Sequence, residues 1–79
     1  MHYVYILESL SVSGRYYVGV TGDLRDRLAR HNRGEVNHTS KFVPWRIKTY
    51  LAFSDPEKAF AFERYLKSGS GRAFAKKRL

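Results

Sequence analysis

Residues 3–20 read YVYILESLSVSGRYYVGV, two short apolar runs on either side of a polar segment. Tyr, Val and Ile dominate both runs, and these residue types favour β-strands. Residues 11–14 (SVSG) between them are typical of a turn. The stretch therefore predicts a β-hairpin, with strands over residues 3–8 and 15–20 and a loop longer than the tightest type.

A helix follows the hairpin. Residues 21–23 (TGD) open it, and Gly34 is expected to end it. Leu24 and Leu28 are four residues apart, so they share one helical face, which would dock on the sheet. Residues 35–45 are polar and contain a proline, which predicts a loop.

The second half of the chain predicts one strand and two helices. Residues 46–53 alternate partly between polar and apolar, as a strand does. Residues 54–57 (SDPE) start a helix with proline in its first turn, and this helix runs to about Lys67. Residues 68–71 (SGSG) then separate it from a short basic helix that begins at Arg72. The prediction is an α+β fold, a small three-stranded sheet flanked by helices in the order β-β-α-β-α-α.

Length and composition limit the kinds of protein that the chain could be. Its 79 residues predict a single domain over residues 1–79 with one modest core. It has no cysteine, so it has neither disulfides nor thiolate metal sites, as is usual in the cytoplasm. The first apolar run is too short for a signal peptide, and no run approaches the ~20 residues that span a bilayer.

The charge favours a polyanionic partner. Lys and Arg number 15 against 7 Asp and Glu, which gives a formal charge of +8. Such a chain attracts nucleic acid or an anionic membrane surface, although a solvated basic face is the alternative. From Arg64 onward there are six basic residues and no acid. Of these, Arg72, Lys76 and Lys77 are expected to contact backbone phosphates, which would add affinity without sequence choice.

Five polar side chains lie where no folding pattern requires them. They are Tyr5, Tyr17, Arg27, His31 and Glu63. With its tripeptides Tyr3-Val4-Tyr5 and Tyr17-Val18-Gly19, the chain resembles the GIY-YIG nucleases. It is most similar to small stand-alone bacterial members, and it also resembles the catalytic domains of excision-repair nucleases and homing endonucleases. The resemblance implies that the five residues form a catalytic set.

Arg27 and His31 share a second helical face, one turn apart. A guanidinium in that position can bind a phosphate through two parallel hydrogen bonds. It can also stabilise the charge that builds up during phosphodiester cleavage. On spacing alone, both residues could instead be ordinary solvated helix residues.

Glu63 interrupts the apolar face of its helix. A carboxylate in such a place needs a partner or a metal ion, because unpaired burial is costly. A salt bridge to a neighbouring basic residue is one alternative. The resemblance implies the other, in which Glu63 is the lone protein ligand of Mg²⁺ or Mn²⁺. One carboxylate combined with waters and substrate phosphate suits Mg²⁺.

The two tyrosines have common strand positions when each is taken singly. The resemblance implies that one of them acts as the general base for the attacking water, and it leaves open which. A phenol has a pKa near 10, so the base would need help from nearby positive charge. Gly19 either allows close packing or substrate approach, or is a plain strand-end glycine. Phe42 and Trp45 either stack on bases or pack at the edge of the core.

The chain departs from the family pattern at several points. The first tripeptide lacks the family's glycine and isoleucine, and no asparagine follows Glu63. In the family this asparagine supports the metal-binding glutamate, and Ser68 or Ser70 is a candidate to replace it.

The expected function is a divalent-metal-dependent endonuclease acting on DNA, or less readily on RNA, as in DNA repair. The main alternative is a nucleic-acid-binding module that keeps the fold without catalysis. A third alternative is a basic interaction protein of an assembly such as the ribosome, but that role does not explain why Arg27 and Glu63 are present.

Overall fold

The centre of the fold is a three-stranded antiparallel sheet. The computed structural model describes residues 1–79, with strands β1 (His2–Ser9), β2 (Tyr16–Thr21) and β3 (Trp45–Phe53). The strand order is β2-β1-β3, so β1 is paired on both sides. The predicted hairpin is confirmed, and it places both signature tripeptides on adjacent strands.

Three helices complete the predicted order β-β-α-β-α-α, which confirms the α+β fold. They are α1 (Leu24–Asn32), α2 (Pro56–Leu66) and α3 (Gly69–Arg78), and a single 3₁₀ turn lies within the predicted loop at Ser40–Phe42. None of the helices has the length and apolar character that crossing a bilayer requires.

Both ends of α1 are formed by the residues that the sequence indicated. The side chain of Asp23 accepts a hydrogen bond from the backbone N–H of Asp26 at 3.0 Å, which caps the N-terminus. At the other end, Gly34 has φ +76°, and its N–H donates to the carbonyl of His31 at 3.1 Å. Glycine adopts this left-handed conformation without a Cβ penalty, so the helix stops there.

The start of α3 differs from the prediction. The helix begins at Gly69 rather than at Arg72, and only residues 67–68 separate it from α2. The Ser68 hydroxyl accepts from the N–H of Gly71 at 3.1 Å, so this serine is an N-cap. The SGSG segment suggested a break because Gly and Ser have low helix propensity, but serine is also a preferred cap.

The sheet divides the apolar interior into two layers instead of the single core that was expected. Val4, Ile6, Ala59 and Leu66 form the layer against α2 and α3. Tyr5, Leu7 and Trp45 form the layer against α1, with Leu24 and Leu28 packed on it as predicted. Successive β1 side chains alternate between the two faces, which is why Tyr5 and Ile6 belong to different layers.

Trp45 belongs to this interior. It is 3% exposed, and its indole N–H donates to the carbonyl of Thr39 at 2.9 Å. Packing is therefore its role, and the base-stacking interpretation is wrong for this residue.

Candidate active site

Tyr5 lies on the central strand, facing α1, and is 2% exposed. Its neighbour across the hairpin is Gly19 on β2. A Cβ at position 19 would overlap the Tyr5 hydroxyl and lie 2.6 Å from its Cζ and 3.1 Å from Cε2 of Tyr17. Gly19 therefore makes room for the Tyr5 ring, which supports the close-packing interpretation of this glycine.

The two tyrosines are diagonal neighbours on adjacent strands and are not directly paired. Tyr17 lies opposite Leu7, two residues along the strand from the Tyr5–Gly19 pair. The ring centroids of Tyr5 and Tyr17 are 6.4 Å apart. This diagonal distance is still within reach of aromatic side chains on one face of a sheet.

His31 joins α1 to the tyrosines from the interior of the protein. It is 0% exposed, and its Nε2 is 2.9 Å from the Tyr5 hydroxyl. Its Nδ1 is 2.8 Å from Oγ1 of Thr39, whose hydroxyl donates to the carbonyl of Val36 at 3.3 Å. Because the Thr39 proton is used in that bond, we assign the imidazole proton to Nδ1, which leaves Nε2 to accept from Tyr5.

Burial controls the ionisation of this pair. Burial and the neighbouring Tyr17 raise the pKa of Tyr5 to about 12, although the Arg27 guanidinium opposes the shift. Burial, and to a lesser degree the positive charge of Arg27, lower the pKa of His31. Both groups are consequently neutral at pH 7, as the assigned hydrogen bonds require.

These contacts define what His31 can do. The sequence placed it in the catalytic set beside Arg27, but the enclosed ring cannot touch a substrate. Its nitrogens bond to Tyr5 and Thr39 and its ring packs against Tyr17, so it is arranged to position the two tyrosines. Thr39, which holds the other side of the ring and is 1% exposed, was missed by sequence reasoning. It lies in a polar loop, and no periodic pattern marks a buried residue there.

Arg27 is partly buried on α1, one turn before His31. Its charge acts on the pKa values of both Tyr5 and His31, which places the guanidinium beside them. It takes part in none of the molecule's four salt bridges, whereas Arg30 on the same helix pairs with Asp26 at 3.0 Å. Arg27 is therefore a cation without a protein counter-ion, available to an anionic ligand.

Glu63 lies on α2, the helix that packs on the face of the sheet opposite α1. Its negative charge also contributes to raising the pKa of Tyr5. Its side chain is 19% exposed, and one carboxylate oxygen lies 3.2 Å from Nζ of Lys67, which is 52% exposed. The expected salt bridge is thus present, but an ion pair with one solvated partner contributes little stability and can be exchanged for another cation.

Glu63 can offer one carboxylate to a metal ion. No group of three or more His, Asp or Glu side chains is arranged to hold an ion by itself. A hard cation at Glu63 would therefore rely on water and phosphate for its other ligands, as Mg²⁺ commonly does. Ser68 is not free to support it, because its hydroxyl donates to the carbonyl of Tyr65 at 2.6 Å while capping α3.

The remaining predicted contacts lie outside this cluster. Arg72, Lys76 and Lys77 are all exposed on α3. Arg72 and Lys76 line a groove that Tyr17 also borders, whereas Lys77 does not line it. The structure thus brings together Tyr5, Tyr17, Arg27 and His31, and it relates Glu63 to them through the effect of its charge on Tyr5.

Comparisons with known proteins place the chain in a family. The family profile described as the GIY-YIG catalytic domain matches residues 1–78. A UPF0213 protein from Streptococcus pneumoniae is 38% identical over 66 residues, covering 82% of this chain and 65% of the relative. Another from Lacticaseibacillus paracasei is 34% identical, covering 84% of this chain and 73% of the relative. The solution NMR structure of a UPF0213 protein from Bacillus halodurans matches with a TM-score of 0.58 and 32% identity, over 96% of this chain and 82% of that one.

Proposed function

Because the chain belongs to the GIY-YIG family, we propose that it is a divalent-metal-dependent endonuclease that hydrolyses phosphodiester bonds in DNA, or else in RNA. Membership in the family implies a nuclease-type fold and nucleic-acid binding in general. The observation that carries the finer proposal is the unpaired Arg27 beside a buried, fully hydrogen-bonded Tyr5 and a second tyrosine at the border of a groove.

The two tyrosines have different roles in this proposal. Tyr5 has a pKa of about 12 and donates a hydrogen bond to His31, so it stays a neutral phenol. Its role is to maintain the geometry of the site. Tyr17 is less buried and borders the groove, so its hydroxyl is the one that can meet water or a phosphate oxygen. Tyr17 is therefore assigned to the attacking water.

Arg27 binds the scissile phosphate and stabilises the charge that grows on its oxygens during attack. Glu63 would hold Mg²⁺ or Mn²⁺, displacing the Lys67 ammonium from its carboxylate. When bound, such an ion supplies Lewis-acid stabilisation of phosphate oxygens. Since only one carboxylate is present, the arrangement suits a one-metal site.

The Glu63–Lys67 ion pair favours a second candidate function, a nucleic-acid-binding module without catalysis. In that case Lys67 neutralises the carboxylate permanently, and Arg27 serves binding alone. The two functions differ in what Glu63 and Arg27 contribute, which substitutions can measure.

The first test concerns Glu63. Glu63→Gln keeps the shape and removes the charge, so we expect it to abolish cleavage of plasmid and single-stranded DNA with Mg²⁺ or Mn²⁺ while the domain stays folded. Glu57→Gln, an exposed change on the same helix, is the matched control and should cleave like the parent. Unchanged cleavage by Glu63→Gln would remove Glu63 from the site.

The second test separates the transition state from the bound substrate. Loss of one well-placed charge-stabilising donor costs roughly 10²–10³ in rate, so we expect Arg27→Ala to slow single-turnover cleavage by that order. Its equilibrium binding should weaken far less, and Tyr17→Phe should behave in the same way. Arg25→Ala, on the exposed side of α1, removes the same charge as a control. Two outcomes would favour the binding module. In one, the parent protein cleaves nothing; in the other, Arg27→Ala and Tyr17→Phe lose cleavage rate and binding affinity in equal proportion.

A further inference from the structure

A basic groove lies on the α2–α3 side of the sheet, the face opposite Tyr5. The hairpin loop, the end of α2 and the middle of α3 line it, and its volume is about 1000 Å³. Five of its lining side chains are cationic and none is acidic. They are Arg15, Lys48, Lys67, Arg72 and Lys76. Clustered cations in a concave surface attract a polyanion by their summed field.

The groove also has an apolar and aromatic component. Seven of its 14 lining residues are hydrophobic, which is more than a surface for phosphates alone requires. Tyr16 is 48% exposed and Val12 is 39% exposed, both at the hairpin end. The Lys48 ammonium lies over the Tyr16 ring, 5.0 Å from its centre, so a cation packs on one face of an exposed aromatic ring.

Two residues connect this groove to the candidate active site. Tyr17 lines the groove, and its ring centroid is 5.0 Å from that of His31. Lys67 lines the groove and pairs with Glu63. A chain lying in the groove would therefore contact Tyr17, and it would contact Lys67, the ion-pair partner of Glu63.

We propose that this groove binds single-stranded nucleic acid, with Tyr16 as a stacking platform and the five cations as phosphate contacts. Aromatic rings interleaved with cations suit unpaired bases, whose π-faces are open. A duplex presents its phosphates outward and its bases inward, so it would leave Tyr16 and Val12 uncovered. Delivery of the strand to Tyr17 and Glu63 rests on the proposed function, but binding in the groove does not.

Binding is measured without divalent ions, in EDTA, so that cleavage plays no part. The probes are fluorescent oligothymidylate, oligouridylate and a DNA duplex of equal length. One stacked base is worth roughly tenfold in affinity, so Tyr16→Ala should weaken single-strand binding by that order. The double variant Lys48→Ala, Arg72→Ala should lower the slope of log K against log salt by about 1.4, since each phosphate contact on a single strand contributes about 0.7.

Matched controls come from other faces of the protein. Tyr50→Ala removes an equally exposed tyrosine on β3, and Lys58→Ala removes an exposed cation on α2. Both should bind oligothymidylate like the parent, and the parent should bind it more tightly than duplex. Tighter binding of oligouridylate would identify the strand as RNA.

Two results would overturn the inference. One is equal affinity for duplex and single strand together with no effect of Tyr16→Ala. The other is displacement of the strand by polyglutamate of equal charge as effectively as by unlabelled oligonucleotide, because the groove would then recognise charge alone. Groove-dependent binding without cleavage would instead leave this inference standing and remove the proposed function.

Discussion

At the residue scale, a neutral histidine held between two hydroxyls links the stability of the site to pH. His31 has a lowered pKa in the folded chain, so below about 6.5 the unfolded chain takes up its proton more readily than the folded one. The stabilisation is complete above that pH and is lost as the pH falls through the folded-state value. We expect the free energy of unfolding, measured in urea, to decrease between pH 7.5 and pH 5.

Substitutions assign this effect to one residue. His31→Gln should be less stable than the parent at pH 7.5, because it disturbs the hydrogen bonds to Tyr5 and Thr39. Since glutamine does not titrate, the free energy of unfolding of this variant should fall less between pH 7.5 and pH 5 than that of the parent. His38→Gln removes an exposed histidine and should keep the parent's pH profile. A His31→Gln profile with the parent's slope would mean that other groups carry the dependence.

The family resemblance, together with the spacing of the residues, selected Tyr5, Tyr17, Arg27 and His31, which strand alternation and the helical turn bring to one face. It was not enough to place His31 inside the protein. The residue that closes over the ring, Thr39, comes from a loop whose conformation is set by tertiary contacts such as the Trp45 bond to its carbonyl. No local pattern encodes those contacts.

At the element scale, the two-residue junction between α2 and α3 depends on close backbone approach. Gly71 is buried, and a Cβ there would overlap the carbonyl of Tyr65 and lie 2.7 Å from Cα of Leu66. Backbone atoms cannot turn aside as a side chain can, so α3 would have to move away from α2. Glycine was expected from the sequence to separate the helices. Its actual role is to let the two helices come into close contact. Composition alone cannot distinguish a glycine that interrupts a helix from one that allows such a contact.

Gly71→Ala tests this junction. Overpacking of this kind costs roughly 1–3 kcal/mol, and we expect the upper part of that range in chemical denaturation. Gly69→Ala, at the first turn of the same helix, meets nothing within 4 Å and should leave stability unchanged or raise it by up to about 1 kcal/mol. Equal stability of the two variants would show that the close contact does not constrain the helices.

At the scale of the whole molecule, the charge of +8 governs how nucleic acid is held. About five phosphate contacts on a single strand predict a roughly 100-fold loss of affinity between 50 and 200 mM salt, with little dependence on base sequence. Fluorescence anisotropy across that range measures it, and a thermal melt at each salt concentration checks that the fold is retained. A change of less than threefold would contradict the charge argument.

The central position of β1 has a consequence for local opening of the structure. Its amides are hydrogen-bonded to strands on both sides, so they exchange with solvent only when the sheet itself opens. The terminal helix α3 is joined to the fold on one side and can open alone. Tyr5 belongs to the first unit, and Arg72 and Lys76 belong to the second. Under mild destabilisation the α3 cations would therefore lose their fixed positions while the tyrosine site keeps its geometry.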